Sequence, residues 1–259
     1  MVIFPTAKIN IGLYISGKRN DGFHEIETVF YPVKNFSDVL EIVPAKQRKA
    51  GCYFQQSGNM QPLAKGENLV EKAYQLLSQQ YQLPPVNIFL HKNIPSMAGL
   101  GGGSSDAACC LLLLNKLFSI NLNINQLKHF ATQLGSDCAF FIENRPALGK
   151  GKGDELHSID IEQLNGKYIH IITPPITIST SAAYKNCIIS APPQPSLQER
   201  LKAPLSEWKD LIVNDFEKTL FPLYPQLTAI KADLYRKGAI YASLSGSGSA
   251  IYGIFEQKR

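Results

Sequence analysis

The sequence predicts a folded protein of mixed strands and helices, divided into two domains. At 259 residues the chain is longer than most single domains, which have about 100–150 residues. β-Branched and aromatic residues alternate with polar ones over Val2–Ile15 and Glu25–Val33, which predicts two opening strands. Between residues 145 and 158 the composition shifts towards Gly, Lys and Pro, and a new strand is indicated at Tyr168. We therefore predict one domain over residues 1–150 and another over residues 151–259.

The remaining elements follow from periodicity and from residues that start or stop helices. Asn68 is placed to cap a helix, and Gly135 is suited to end one. The helix over Asp106–Phe118 has so many apolar residues that we expect it to cross the core. The proline-rich stretch Ala191–Pro204 predicts a loop or insertion. The other predicted helices are Leu69–Gln80, Ile124–Leu134 and Leu227–Tyr235, and the other predicted strands are Val39–Val43, Val86–Leu90, Ala239–Leu244 and Ala250–Phe255.

Composition and charge indicate an ordinary globular protein of the cytoplasm. Hydrophobic residues make up 44% of the chain, and the net charge of +5 comes from dispersed residues with no basic block, so nucleic-acid binding is not indicated. The five cysteines have no CxxC spacing, which favours free thiols in a reducing compartment. We expect neither a signal peptide nor a membrane-spanning segment. The sequence does not distinguish a monomer from a homodimer.

A glycine loop between a strand and a helix carries the strongest chemical signal. Glycines in Pro95–Ala108 allow the backbone to approach a ligand closely, and the following helix start adds free N–H groups that attract phosphate. The alternative is a tightly packed turn that binds nothing. The loop is not a Walker A motif, because no Gly-Lys is followed by Ser or Thr, and Ser104 replaces the third glycine of a dinucleotide fingerprint. The candidate nucleotide-binding residues here are Pro95, Gly99, Leu100, Gly101, Gly102, Gly103, Ser104 and Ser105.

Three further features have both a structural and a functional interpretation. The glycine element Ser243–Ser249 is a hairpin turn, or it closes over phosphates through Gly246 and Gly248. Asp137 opens an otherwise apolar segment, where it caps the next helix or acts as a catalytic carboxylate. Lys8 interrupts the first strand, where it is solvated on the outer face or serves a site. The residues themselves leave these alternatives open.

A resemblance to a known family decides between the structural and the functional interpretations. The loop Pro95–Ala108 resembles the second signature of the GHMP kinases, a superfamily of small-molecule kinases, and Ser245–Ser249 resembles the third. Further similarity narrows the resemblance to the superfamily member of the nonmevalonate isoprenoid pathway. The segments that carry it are Ala7–Leu13, Gly17–Ile26, Leu134–Asp137 and Ser179–Tyr184.

The resemblance implies a two-domain α+β GHMP kinase fold, with an N-terminal ATP-binding domain like domain 2 of ribosomal protein S5 and a ferredoxin-like C-terminal domain. It implies transfer of phosphate from ATP, with Mg²⁺, to the 2-hydroxyl of 4-diphosphocytidyl-2-C-methyl-D-erythritol. Asp137 matches the catalytic base and Lys8 its partner, while Asn68 and Lys92 are expected to border the adenine. The substrate-binding residues that it implies are Asn10, Phe23, His24, Tyr184, Gly246 and Gly248.

The cytidine group is expected to stack between aromatic rings, with His24 at its hydrogen-bonding edge. Phe23 departs from the family, which often has tyrosine there, so ring stacking is kept and a phenol hydroxyl is lost. The alternatives are another GHMP kinase, acting on mevalonate derivatives or homoserine, and a catalytically silent phosphate-binding or RNA-binding module of similar fold. Phe23, His24 and Tyr184 argue against the first, and Lys8 and Asp137 against the second.

Overall fold

The computed structural model describes residues 1–45, 51–59 and 68–257. The strands, in chain order, are β1 (Val2–Ile3), β2 (Thr6–Lys18), β3 (His24–Ser37), β4 (Val39–Pro44), β5 (Cys52–Gly58), β6 (Val86–Lys92), β7 (Ala147–Lys150), β8 (Glu155–Ser158), β9 (Tyr168–Ile172), β10 (Tyr241–Leu244) and β11 (Ile251–Phe255). The α-helices are α1 (Leu69–Tyr81), α2 (Gly102–Leu117), α3 (Ile124–Leu134), α4 (Cys138–Glu143), α5 (Thr180–Lys185), α6 (Leu197–Arg200), α7 (Trp208–Leu211), α8 (Glu217–Leu223) and α9 (Pro225–Arg236).

The chain forms two compact units, and each is discontinuous in sequence. The first contains Met1–Lys8, Pro32–Ser96 and Gly101–Arg145. The second contains Ile9–Tyr31, Met97–Leu100 and Pro146–Arg259. The sequence-based division at residue 150 stays a prediction.

In the first unit, a four-stranded sheet packs against helices. The strand order is β1-β4-β6-β5, and β5 pairs with β6 in parallel while the other pairs are antiparallel. Helix α2 packs on α1, α3, α4 and β4, and most of its side chains are buried, so the predicted core-crossing helix is confirmed. The predicted cap is also confirmed, because Asn68 Oδ1 accepts a hydrogen bond from the Val70 N–H at 2.8 Å.

The second unit contains two sheets, without Thr6–Lys8 of β2 and Pro32–Ser37 of β3, which belong to the first unit. One has the order β2-β3-β7-β8, and the other is an antiparallel sheet in the order β10-β11-β9. Helix α9 packs on β10 and β11, and it buries Leu227 and Leu234 in a core shared with Phe216, Leu244 and Ile251. This arrangement places the turn between β10 and β11 at one end of a well-packed sheet.

The structure corrects four sequence-based boundaries. The predicted strand Val2–Ile15 is two strands in different sheets, separated at Pro5, a residue that cannot donate a ladder hydrogen bond. The paired strands β7 and β8 lie within residues 145–158, for which the sequence indicated no strand. Helix α2 begins at Gly102, four residues before the predicted start at Asp106. Ala191–Pro204 contains the helical turn α6, which a reciprocal Ser196–Glu199 capping box stabilises.

The five cysteines are free, in agreement with the sequence-based prediction. Cys109, Cys110 and Cys138 are buried, and burial raises the pKa of the Cys109 and Cys138 thiols to about 12. Among the helices in the described ranges, none has both the length and the apolar character that a bilayer crossing requires.

Candidate active site

Lys8 and Asp137 form an ion pair in the first unit. Lys8 lies on β2 and is buried, with 4% of its surface exposed, so the solvated alternative is wrong. Asp137 precedes α4 and occupies its N-cap position, but its side chain makes no capping hydrogen bond. The Nζ atom of Lys8 lies 3.4 Å from Asp137 Oδ2, and the Asp137 side chain keeps 30% of its surface exposed. The pair therefore combines a buried cation with a carboxylate that a ligand can reach.

The glycine loop passes directly beside this ion pair. Gly101 has a φ of +69°, and a Cβ there would lie 3.1 Å from two carbons of the Lys8 side chain and 2.9 Å from Phe141 Cζ. Only glycine combines this left-handed conformation with such a close approach at low cost. The backbone at the start of α2 is therefore held next to Lys8 in the same compact unit.

The first turn of α2 can bind an anion. The first N–H groups of a helix have no acceptor within the helix, and they lie at the positive end of its dipole. Gly103 is exposed, and a Cβ built on it would have nothing within 4 Å. Gly102 and Ser105 are buried, whereas Ser104 is partly exposed. Open space around a glycine backbone at a helix start is suitable for close contact with phosphate oxygens.

The two residues predicted at the adenine also lie in the first unit. Asn68 caps α1, and its amide nitrogen also donates to Gln56 Oε1 at 3.2 Å. Lys92 ends β6, where its ammonium pairs with the buried carboxylates of Asp38 and Asp106. Their role at adenine stays a prediction.

In the second unit, the middle of the glycine loop contacts the carboxy-terminal glycine turn. The Ser245 hydroxyl donates to the Gly99 carbonyl at 2.9 Å, and the Ala250 N–H donates to the Ala98 carbonyl at 3.0 Å. Gly246 and Gly248 both have positive φ, +54° and +82°. The turn between β10 and β11 confirms the predicted hairpin, and its contact with Gly99 brings the two glycine elements together.

Asn10 belongs to a buried polar cluster close to this turn. Its side-chain nitrogen donates to Thr28 Oγ1 at 3.0 Å, and the Thr28 hydroxyl donates in turn to the Gly12 carbonyl at 2.5 Å. A Cβ built on Gly246 would lie 3.1 Å from Asn10 Oδ1. These bonds fix the orientation of the Asn10 amide beside the glycine turn.

The aromatic residues predicted at the cytidine lie in the second unit in a different arrangement from the expected sandwich. The rings of His24 and Tyr184 stack directly, with centroids 4.9 Å apart, which leaves no room for a base between them. Tyr184 also meets Phe216 edge-on at 4.9 Å. Phe23 is half-exposed, and Lys152 Nζ lies 5.0 Å from the centre of its ring. Partial burial, and then the nearby charge of Lys18, lower the pKa of His24, which favours a neutral imidazole.

Sequence reasoning missed several residues that organise these elements. The Asn214 amide nitrogen donates to the carbonyls of Leu244 and Gly246, both at 2.9 Å, and so holds the glycine turn. An available signal was the polar pair Asn214-Asp215 between Val213 and Phe216. Thr28 gave no signal, because threonine is common in strands.

Comparisons with known proteins identify the family of the chain. The family model described as GHMP kinases N terminal domain matches residues 68–145, and the model described as GHMP kinases C terminal matches residues 197–259. A protein of Azobacteroides pseudotrichonymphae genomovar. CFP2, named 4-diphosphocytidyl-2-C-methyl-D-erythritol kinase, is 49% identical over 257 residues, covering 99% of this chain and 94% of the relative. A Bacteroides thetaiotaomicron protein of the same name is 49% identical over 261 residues, covering 99% and 92%.

Solved structures give the same result. A crystal structure of 4-(cytidine 5'-diphospho)-2C-methyl-D-erythritol kinase superposes with a TM-score of 0.81 at 30% identity, covering 99% of this chain and 91% of that one. Homoserine kinase from Cytophaga hutchinsonii superposes with a TM-score of 0.74 at 18% identity, covering 98% and 85%, and this likeness concerns the fold alone.

Proposed function

The chain belongs to the GHMP kinases, and within them to the 4-diphosphocytidyl-2-C-methyl-D-erythritol kinases, and from this membership we propose that it phosphorylates the 2-hydroxyl of 4-diphosphocytidyl-2-C-methyl-D-erythritol with MgATP. The α+β GHMP kinase fold predicted from the sequence is confirmed. Full-length relatives at 49% identity favour this substrate over mevalonate derivatives and homoserine, whose kinases share only the fold at 12–18% identity.

The observation that carries the proposed mechanism is the Lys8–Asp137 pair beside Gly101. In the reaction the substrate hydroxyl oxygen forms a bond to the γ-phosphorus, the bond from that phosphorus to the bridging oxygen breaks, and ADP leaves. The hydroxyl proton goes to Asp137, the carboxylate that keeps part of its surface exposed. Lys8 orients that carboxylate and the hydroxyl oxygen through its ammonium group.

The glycine loop is proposed to bind the phosphates of ATP. The residues assigned to it are Pro95, Gly99, Leu100, Gly101, Gly102, Gly103, Ser104 and Ser105. The exposed backbone at Gly103 supports this role. Magnesium enters bound to the nucleotide and offsets the charge of the triphosphate. Among the residues that the structure describes, no group of three or more His, Cys, Asp or Glu is placed to hold a metal ion.

We assign the remaining contacts as follows. Asn68 and Lys92 border the adenine, and the ammonium of Lys92 has one N–H donor beyond the two that Asp38 and Asp106 take up. Asn10, Gly246 and Gly248 contact the substrate. Phe23, His24 and Tyr184 hold the cytidine. Since His24 and Tyr184 stack on each other, the base lies against the outside of this ring pair rather than between the rings.

We also propose a cytoplasmic enzyme, because its five free cysteines fit a reducing compartment.

The test is a product assay with three alcohols. The purified protein is incubated with MgATP and, separately, with 4-diphosphocytidyl-2-C-methyl-D-erythritol, mevalonate and homoserine, and the products are examined by mass spectrometry. We expect a product heavier by one phosphate from the cytidyl substrate, together with an equal amount of ADP. Faster phosphorylation of mevalonate or homoserine would refute the proposed substrate.

A further inference from the structure

A buried cluster of three charged residues lies beneath the glycine loop. Lys92 is the last residue of β6, where the chain leaves the sheet to form the loop. Its Nζ atom bonds to Asp38 Oδ2 and lies 2.6 Å from Asp106 Oδ2. All three residues are buried, with exposed fractions of 4%, 0% and 2% for Lys92, Asp38 and Asp106. Buried charges of this kind are rare in proteins unless they are paired, as they are here.

Asp38 fixes the point at which the loop begins. It lies between β3 and β4, and its Oδ1 atom accepts hydrogen bonds from the N–H groups of Asn93 at 2.6 Å and Ile94 at 2.8 Å. These are the first two residues after β6. One carboxylate therefore binds both the strand end, through Lys92, and the first peptide groups of the loop.

Asp106 fixes the other end of the loop, where the chain enters helix α2. It lies near the start of α2, and its Oδ1 atom is buried with no hydrogen-bond partner in the described part of the chain. Its Oδ2 atom accepts the hydrogen bond from Lys92 Nζ and so attaches the helix start to the cluster. The helix start also packs on the cluster, since a Cβ on Gly102 would lie 3.2 Å from Lys92 Nζ and 2.9 Å from Ile94 Cγ2.

We infer that Asp38, Lys92 and Asp106 are positioning residues that hold the two ends of the glycine loop at the spacing required for binding the phosphates of ATP. The inference rests on the proposed function, which supplies ATP as the ligand. The ammonium of Lys92 is paired with the side chains of Asp38 and Asp106, so Lys92 does not act as a free cation on the phosphates. Its effect on phosphate binding is exerted through the backbone that it holds.

The chemistry of the cluster favours this role over simple stabilisation. Well-packed apolar side chains often stabilise a core as well as or better than a buried ion pair does. Hydrogen bonds between charged groups add a preferred direction and distance, which apolar packing does not specify. A loop whose N–H groups must converge on phosphate oxygens requires that geometric precision at both ends.

The experiment measures binding of a non-hydrolysable ATP analogue with magnesium by calorimetry, together with the KM values of both substrates. The variants are Asp106→Asn, which keeps the shape and one acceptor, and Asp106→Ala, which removes the bond to Lys92. The matched control is Asp233→Ala, which breaks the ion pairs of a partly exposed aspartate on α9 with Arg236 and Lys237. Circular dichroism establishes that each variant is folded at the temperature of the assay.

We expect Asp106→Ala to weaken analogue binding by at least about tenfold and Asp106→Asn by at least about threefold, since hydrogen bonds to charged groups contribute on that scale. The KM for MgATP rises in parallel, whereas the KM for the alcohol stays within about twofold of wild type. The control Asp233→Ala stays within about twofold of wild type in analogue binding and in both KM values. A residue that merely stabilises the fold would lower the melting temperature and leave analogue binding by the folded protein unchanged.

Other results would contradict the inference. Folded Asp106 variants that bind the analogue as well as the wild type does, or equal increases in the two KM values, would overturn the positioning role while leaving the kinase assignment intact. If Asp106→Ala does not fold, the affinity of Asp106→Asn for the analogue decides: weakening by less than about threefold would contradict the positioning role. A wild-type protein that binds no ATP analogue would overturn this inference and the proposed function together.

Discussion

The carbonyl oxygen of Ser245 occupies the space that a side chain on Gly99 would need. A Cβ built on Gly99 would lie 2.0 Å from that oxygen, and Gly99 has a φ of +75°. Alanine at this position therefore introduces both backbone strain and a collision with a backbone atom that has little freedom to move. The contact of the glycine loop with the β10–β11 turn depends on the absence of one methyl group.

We predict that Gly99→Ala lowers kcat/KM at least about tenfold and destabilises the fold by about 1–3 kcal/mol. The control is Gly166→Ala, at a φ of +72° with nothing within 4 Å of an added Cβ, which carries the backbone strain without the collision. Urea unfolding and steady-state kinetics compare the two variants. Equal effects in both would show that the contact with Ser245 is unimportant.

Asp137→Asn should remove turnover while preserving substrate binding. The amide keeps the shape of the side chain but does not accept the hydroxyl proton, and general bases typically contribute about 100- to 10,000-fold. We expect a fall of that size in kcat, with both KM values within about threefold of wild type. The control Asp233→Asn changes a carboxylate of similar exposure that is far from the glycine loop in sequence, and it should be neutral. Turnover near wild type would make Asp137 a structural residue.

Two glycines of the loop should respond differently to valine. At Gly103 a Cβ meets nothing within 4 Å, so Gly103→Val should fold normally and raise the KM for MgATP at least about tenfold by blocking the approach of phosphate. At Gly101 the positive φ and the contacts with Phe141 and Lys8 predict a loss of stability as well. Melting curves and the two KM values distinguish these outcomes. A Gly103→Val enzyme with normal KM for MgATP would contradict phosphate binding at this residue.

Tyr184 and His24 are predicted to govern recognition of the cytidine. Tyr184→Ala should raise the KM for the cytidyl substrate about tenfold, because a ring face contributes about 1–3 kcal/mol to stacking on a base. Tyr184→Phe keeps the ring and serves as the control. The cytidyl substrate should be preferred over its uridyl analogue by at least about tenfold in kcat/KM, and His24→Ala should remove much of that preference. Equal use of both nucleotides by the wild type would refute the prediction.

Stability should depend on pH through Asp106. Burial is the main cause that raises the pKa of Asp106 to about 7, and the Asp38 carboxylate adds to it while Lys92 opposes it. In the unfolded chain an aspartate has a pKa of about 3.9, so between roughly pH 4 and pH 7 the folded state holds a proton that the unfolded state has released. This contribution to the free energy of unfolding therefore falls as pH rises through that window.

The measurement compares urea unfolding of the wild type and Asp106→Asn from about pH 5 to about pH 8. Relative to the wild type, the variant should gain stability as pH rises to about 7 and then show no further change. A constant difference between the two proteins across this range would mean that Asp106 titrates near its ordinary pKa.

Local signals in the sequence predicted much of the fold. Asn68 precedes a periodic apolar segment, and it caps α1 as expected. The start of α2 was missed, because glycine is a poor helix former and Gly102 and Gly103 gave no propensity for helix. The turn α6 was missed for a related reason, since prolines on both sides concealed the capping box at Ser196.

The site was predicted less completely, because its contacts join distant parts of the chain. Family resemblance selected Lys8 and Asp137, and the structure brings them to 3.4 Å. The pairing of Lys92 with Asp38 spans 54 residues, and nothing in the local pattern around either residue indicates it. Direct stacking of His24 on Tyr184 likewise depends on tertiary packing that composition and periodicity do not specify.

The labelling rate of the buried cysteines can be used to measure unfolding of the protein. Only the thiolate form reacts with alkylating reagents, and burial holds the thiols of Cys109 and Cys138 almost wholly protonated. Cys52 and Cys187 are partly exposed, so they take up the reagent first. Mass spectrometry of intact protein would then resolve an early stage of labelling from a slow one. The slow stage measures how often helices α2 and α4, which carry Cys109, Cys110 and Cys138, separate from the helices packed around them.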